Sequence, residues 1–195
     1  LISQSNDGMI DLVNALLNVS RIDLGTFAIE PKPVDVLKSA QLIMQQLEPS
    51  IRSKRIELIH NFDIKSTTFN LDKELIEVVF QNLLSNAIKY TPEGGKVEFS
   101  IREGEKEIMI DVKDNGYGIP KEQQAKIFTK LFRAENIKSK VTEGTGLGLY
   151  IVKSIIDKSG GSISFESEEG KGTVFHVVLP KSGMPEIKGE KRIAK

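Results

Sequence analysis

Three groups of residues in this chain have types and spacings that could do chemistry. The first is Asn82, Asn86, Lys89 and Tyr90, set in an otherwise apolar run. Asn disfavours a helix interior by ~0.5 kcal/mol or more relative to Ala. Here two stand at i and i+4 with Lys at i+7, so they share a helical face. Such a face can simply be solvated. It can also be aimed at a metal–phosphate, because Asn offers a neutral carbonyl oxygen to Mg2+ and Lys reaches a phosphate as a point charge. The second group is Asp114-Asn115-Gly116-Tyr117-Gly118-Ile119-Pro120. Asp followed by glycines is often only a turn. Placed directly after a strand, it can also hold a carboxylate at the floor of a purine pocket, where it accepts from the exocyclic amine of adenine and repels the carbonyl of guanine. The third is Gly144-Thr145-Gly146-Leu147-Gly148-Leu149, running into a helical pattern from Tyr150 to Ile156. Glycines at a helix mouth let an anion approach the first N–H groups, which have no internal partners, and the commonest large anion is a nucleotide phosphate. Alone, this too reads equally as a turn. Its G-x-G-x-G spacing after a charged loop argues against a dinucleotide fingerprint, and the chain holds no Walker A sequence.

The elements that must position these residues are legible in the apolar spacing. Residues 1 to about 24 place Ile2, Met9, Ile10, Val13, Leu16, Leu17 and Leu24 at helical intervals, with Gly25 as a C′ residue. That stripe either packs on the main domain or meets another helix in a bundle, the bundle being favoured. A linker or short extended piece follows to Pro33. Asp35 to Ser53 reads as a second helix, with Pro49 marking a bend or restart. Ile56 to Phe62 reads as a strand, and Asp72 as the N-cap of the helix that carries the two asparagines. Strands are expected over 96–102 and 107–113, joined by a tight turn, then a loop and helix from Gly116 to Phe132. Residues 133–143 have little to bury and read as mobile. Strands over 162–167 and 173–179 follow the glycine-led helix, and 181–195 reads as a disordered polar tail. Helices mixed with antiparallel hairpins predict α+β, a sheet with helices on one face.

Composition bounds the rest. At 195 residues the chain can hold one good core, and 27 basic residues balance 27 acidic ones, so no net field points to nucleic acid or an anionic membrane. The absence of cysteine removes disulfides and thiolate metal sites and suits a reducing compartment. No apolar run approaches the roughly 18 residues needed to span a bilayer. Beginning inside a helical pattern without Met, the sequence reads as a fragment of something longer.

Together with a fourth stretch, Ile127 to Arg133, the three groups resemble a known family. Asn82…Asn86-Ala87-Ile88-Lys89-Tyr90 looks like the N box of sensor histidine kinases, and Asp114-x-Gly116-x-Gly118 like their G1 box. Ile127-Phe128-Thr129-Lys130-Leu131-Phe132-Arg133 looks like the F box, and Gly144 to Leu149 like the G2 box. The resemblance implies a two-layer α/β sandwich, a mixed sheet backed by helices, shared with gyrase and mismatch-repair ATPases. It implies ATP and Mg2+ as cofactors. Asn86 would hold the Mg2+, Asp114 the adenine amine, and Asn82, Lys89 and Tyr90 the phosphates or ribose. Arg133, helped by Lys130, would steady the γ-phosphate. Gly116, Gly118, Ile119, Phe128, Gly144, Thr145, Gly146, Leu147, Gly148 and Leu149 would complete the nucleotide site. Residues 134–143 would be a lid over it.

The same resemblance divides the chain into 1–27, the second helix of a dimerisation hairpin, 28–34 as linker, 35–180 as the ATP-binding domain and 181–195 as tail. It implies a cytoplasmic domain, any membrane anchor of the full-length protein lying upstream of residue 1, in a protein that dimerises through its helices and passes a phosphoryl group to a response-regulator receiver domain. Two departures qualify it. The superfamily's hydrolases and its anti-sigma serine kinases carry a Glu general base where this chain has Asn82, which favours a histidine kinase over an ATPase. The family's phosphoacceptor His lies in an H-E/D-x-R-x-P setting, whereas His60 and His176 fall in strand patterns and read as structural or surface residues. This fragment alone is therefore expected not to autophosphorylate. The rival reading is a nucleotide-binding regulatory or scaffold module without transfer.

Overall fold

The computed structural model describes residues 2–138 and 144–189, with side chains over 12–137 and 144–189. Helix α1 (Ile2–Asp23) leads to β1 (Lys32–Asp35), α2 (Val36–Ser53), β2 (Glu57–Asp63), β3 (Thr68–Leu71) and α3 (Lys73–Tyr90). Then come β4 (Lys96–Glu103), β5 (Glu107–Asp114), a 3-10 turn (Lys121–Lys126), α4 (Glu135–Lys138), α5 (Gly148–Lys158), β6 (Ser162–Glu168) and β7 (Gly172–Pro180). The main sheet has the order β2-β4-β5-β7-β6, with β2 parallel to β4 and every other pair antiparallel. It is a mixed sheet because α3 carries the chain from β2 back to β4 as a crossover.

Strand alternation decides which face is covered. Val97, Phe99 and Ile101 of β4, Ile108 and Ile110 of β5, and Val177 and Leu179 of β7 are sealed from solvent. They meet the apolar faces of α2, α3 and α5, chiefly Ala40, Ile76, Val79, Phe80, Val152 and Ile155. Their neighbours Ser100, Arg102, Asp111 and His176 point the other way, where Arg102 and His176 both bond Asp111. The result is two layers, helices on one face only.

Four expectations need correction. Helix α2 runs through Pro49 without a break. Pro49 sits on the exposed side, while Leu47 and Ile51 on either side of it are both buried against the core and keep the two halves on one face. The short strand β1, at the end of the stretch read as linker or extended piece, pairs with β3, a strand the sequence reading did not place between Phe62 and Asp72. The helix expected up to Phe132 is only the 3-10 turn, because Gln124 Nε2 donates to the carbonyls of Ile119 and Ser167 and Leu131 adopts φ 60°. The tail is ordered as far as it is described: Met184 is buried and Ile187 exchanges backbone hydrogen bonds with Ile29. Residues 190–195 lie outside the described residues.

Helix α1 packs on the main domain along part of its stripe. Val19 and Ile22 are buried and the helix packs on α5, whereas Leu12, Val13, Leu16 and Leu17 stay exposed. Ile2, Met9 and Ile10 lie outside the described side chains.

Glu103 ties three segments at one end of the sheet. Its Oε2 accepts from the N–H groups of Lys65 (2.7 Å) and Ser66 (2.9 Å), and its Oε1 pairs with Lys181. The Lys181 bond first, then the backbone donors, lower its pKa from 4.5 to about 2. A depressed acid stabilises the folded state above its unfolded pKa and loses that effect as pH falls through the folded one. Glu103→Gln should therefore lower the Tm by a few degrees at neutral pH, and the gap from wild type should close between about pH 4.5 and 2 in thermal scans. A gap independent of pH would disprove the carboxylate's role.

Candidate functional site: a cleft between α3, the β5 loop and the mouth of α5

The N-cap of α3 is Asp72, whose Oδ1 accepts from Glu74 and Leu75, so the helix starts where the sequence predicts. Its apolar face is locked in the core. Asn82, Asn86, Lys89 and Tyr90 therefore project, half-buried, into a cleft of ≈ 480 Å³, within the range usual for small-molecule sites. Asn82 Nδ2 donates to the Val78 carbonyl at 2.8 Å, which points Oδ1 at the start of α5. A Cβ on Gly148 would lie 2.4 Å from that oxygen, and one on Gly144 would lie 2.6 Å from Lys89 Nζ. Side chains at those positions would fill the space between the two helices. Leu147 is buried and anchors the helix start, while its N–H donates to Thr145 Oγ1 at 3.2 Å.

Asp114 closes the floor at the end of β5. Its carboxylate is buried, and Oδ1 accepts from Gly116 N–H (2.8 Å) and Thr173 N–H (3.3 Å). Burial raises its pKa from 3.8 to about 6, against the pull of those two donors. Gly116 is pressed on the end of α3, since a Cβ there would lie 2.3 Å from the Tyr90 carbonyl oxygen. Burial also raises the pKa of the Tyr90 hydroxyl, opposed by the nearby charge of Arg133.

Most of the residues singled out in the sequence converge here. Asn82, Asn86, Lys89, Tyr90, Asp114, Gly118, Ile119, Arg133, Gly144, Thr145, Gly146, Gly148 and Leu149 line the cleft. Gly116 and Leu147 support it from behind. Lys130 and Phe128 are not brought to it. Phe128 packs edge-on to Phe165 and Phe175 with centroids 5.9 and 6.5 Å away. Lys130 instead pairs with Asp23 at the end of α1 (2.5 Å) and sits 4.9 Å from the Tyr150 ring centroid. Tyr150 donates its hydroxyl to the same carboxylate at 2.7 Å. Leu131, exposed and at φ 60°, lies between Lys130 and Arg133.

The stretch read as mobile begins as an anchored one. Ala134 and Ile137 are buried and line the cleft, and Asn136 Nδ2 donates to the Gly118 carbonyl at 3.1 Å. Residues 139–143 of the expected lid lie outside the described residues. Sequence reasoning missed Thr173, Phe132 and the polar wall of Asn14, Asn18, Gln46, Glu77 and Gln81. The Gly172-Thr173 pair that opens β7 was a usable signal for the first. The wall forms only when α1 and α2 dock beside α3, and local spacing carries no trace of that.

The donor set favours an ion carried by its ligand. Among the described residues no group of three or more His, Cys, Asp or Glu could hold a metal. A divalent cation here would take Asn86 as a protein ligand and depend on phosphate oxygens for its other contacts. Among the described residues no helix is long and apolar enough to cross a membrane.

Comparison with known proteins agrees with this geometry. The profile of the histidine kinase-, DNA gyrase B- and HSP90-like ATPases matches residues 71–183. The sensor histidine kinase WalK of Bacillus subtilis (strain 168) is 37% identical over 174 residues, which are 88% of this chain and 28% of that protein. The chain thus spans less than a third of the length of such curated relatives. Full-length ShkA in complex with AMPPNP superposes with a TM-score of 0.79 at 25% identity, over 93% of this chain and 37% of that one. The histidine kinase ThkA in complex with the response regulator TrrA superposes at 0.73 with 26% identity, over 92% and 49% of the two chains.

Proposed function

Since the chain belongs to the family of histidine kinase-, DNA gyrase B- and HSP90-like ATPases, we propose that it binds Mg2+-ATP as the catalytic part of a sensor histidine kinase. The observation that carries this reading is the single cleft uniting the asparagine face of α3, the buried Asp114 and the glycine mouth of α5. Asp114 keeps Oδ2 free of protein partners among the described residues, so it can accept from the adenine amine. The first N–H groups of α5, with Lys89 and Arg133, form the cationic end for the phosphates. Asn86 would hold Mg2+, which when bound neutralises phosphate charge as phosphoryl transfer requires.

Asn82 favours kinase over hydrolase. Its amide is spent on the Val78 carbonyl and its oxygen is not basic, so no group at this position can activate water. A neutral imidazole needs no such activation. In this reading a His from outside the chain attacks the γ-phosphorus, ADP leaves, and the phosphoryl group passes to an Asp of a response-regulator receiver domain. The cleft supplies position and charge, the main terms in phosphoryl transfer. His60 and His176 lie in β2 and β7, and neither lines the cleft. The exposed stripe of α1 suits a dimerisation hairpin in the whole protein, with this domain on the cytoplasmic side.

Calorimetric titration with Mg2+-ATP, beside Asn86→Ala, tests the proposal. Binding should weaken by roughly 100-fold in the variant with Mg2+ present, and by much less when EDTA is added. A separately supplied helical hairpin bearing an acceptor His should then become labelled from γ-labelled ATP. A folded chain that binds no nucleotide would make this a scaffold. ATP turnover without an acceptor, lost in Asn82→Ala, would make it a hydrolase.

A further inference from the structure

The C-terminus of α3 is finished in an unusual way. The last carbonyls of a helix have no intrahelical partner and ordinarily turn to water or to a glycine-based cap. Here Thr91 is fully buried, so water cannot cap its carbonyl. Each carbonyl from residue 87 to 91 nevertheless has a donor. Thr91 N–H serves Ala87 at 3.1 Å, and Tyr117 N–H serves Tyr90 at 3.1 Å. The remaining three go to one ammonium: Lys54 Nζ donates to Ile88 (2.8 Å), to Lys89 (2.9 Å) and to Thr91. All three donors of the lysine are thereby used.

Lys54 lies at the end of α2, remote in sequence from every motif of the cleft. Its own carbonyl accepts from Gly94 N–H at 2.9 Å, so the turn after α2 and the turn after α3 are tied in both directions. Burial lowers the lysine's pKa, the cost of taking a cation out of water. The three carbonyls and the negative end of the α3 dipole replace its hydration shell.

We infer that Lys54 is a positioning residue for the nucleotide site, fixing the end of α3 against the loop that carries Asp114. This rests on the nucleotide-binding reading above. Two residues of the cleft, Lys89 and Tyr90, sit on the turn whose carbonyls Lys54 gathers. The Tyr90 carbonyl receives Tyr117 N–H, and Gly116 approaches that same oxygen so closely that even a methyl group would collide with it. There is no slack between the two elements. If the end of α3 frays, the phosphate-side and adenine-side groups lose their register together.

The chain has no cysteine, so Lys54→Cys introduces a unique thiol. Alkylated in the unfolded state with 2-bromoethylamine and refolded, it regains an ammonium at lysine length. Alkylated with 1-bromopropane, it carries a neutral chain of the same length. In refolded protein well below its Tm, the neutral adduct should bind Mg2+-ATP at least about tenfold more weakly than wild type, and the ammonium adduct within about threefold of it. In nucleotide-free protein the Tyr117 amide should exchange faster in the neutral adduct and at the wild-type rate in the ammonium adduct. A neutral adduct with lowered Tm but unchanged affinity and unchanged Tyr117 exchange would make Lys54 a mere helix cap and overturn the inference. Should the neutral adduct not refold, an ammonium adduct that refolds but still binds ATP more than tenfold weakly would overturn it. Failure of the wild type to bind ATP would fall on the function reading instead, because the exchange measurement needs no nucleotide.

Discussion

Asp114→Asn should weaken ATP binding by about 10- to 100-fold near neutral pH, the range expected for a charge-assisted hydrogen bond in a buried site. It should also narrow the preference for ATP over GTP. The reason lies in how the carboxylate is held. Oδ1 is committed to the N–H groups of Gly116 and Thr173. In the variant the carbonyl oxygen must keep those two donors, which puts the NH2 group where Oδ2 was. A donor then faces the amine of adenine, while the carbonyl of guanine meets a partner instead of a repulsion.

Acidification should act in the same direction on the wild type. The raised pKa of about 6 means that the empty site takes up a proton on moving from neutral pH towards 5. Nucleotide binding needs the carboxylate, so affinity should fall about tenfold between pH 7 and 5. Folding responds with the opposite sign. A raised acid penalises the folded state above about pH 6, and the penalty is relieved as pH falls towards the unfolded value of 3.8. Titrating both proteins across this range separates the effect from protonation of ATP itself, which Asp114→Asn shares. Equal pH slopes for the two would sink the assignment of Asp114 to the base.

How much of this was legible in the sequence depended on whether the signal was local. The core faces of α3 and β4–β7 follow from apolar period alone. Asp114, Asn86 and the glycines declare themselves because their chemistry is out of place for an ordinary helix or turn. Lys130 shows where such reasoning fails. Three residues before Arg133, it looks like a second cation for the same phosphate, yet the positive φ at Leu131 sends the two side chains to different places and Asp23 takes the lysine. Asp23 and Lys130 are separated by 107 residues, and no period or cap links them. Lys54 was illegible for a related reason: a lysine near a helix end reads as a solvated residue until the end of another helix is found on top of it.

Gly172 carries the largest expected stability effect. It was not among the residues singled out, since a glycine at the start of a strand is commonplace. Its φ of 109° lies outside the regions open to other residues. A Cβ there would lie 2.0 Å from the Asp114 carbonyl oxygen and 2.8 Å from Asn115 Cα, both backbone atoms that cannot swing aside. Gly172→Ala must therefore strain its own backbone and push the end of β5 from the start of β7, for a combined cost of about 3–5 kcal/mol. In a domain of this size that lowers the Tm by roughly 10 °C or more. The displaced atoms are those that aim Asp114 at the cleft, so ATP affinity should fall even at temperatures where the variant is folded. Gly170→Ala is the matched control, in the same turn: its φ is 78°, but a Cβ there meets nothing within 4 Å. It should bear only the backbone strain, about 1 kcal/mol, and bind ATP like the wild type. Equal Tm values for the two variants would mean that β7 yields where it meets β5, and that the floor of the cleft is set by something other than this contact.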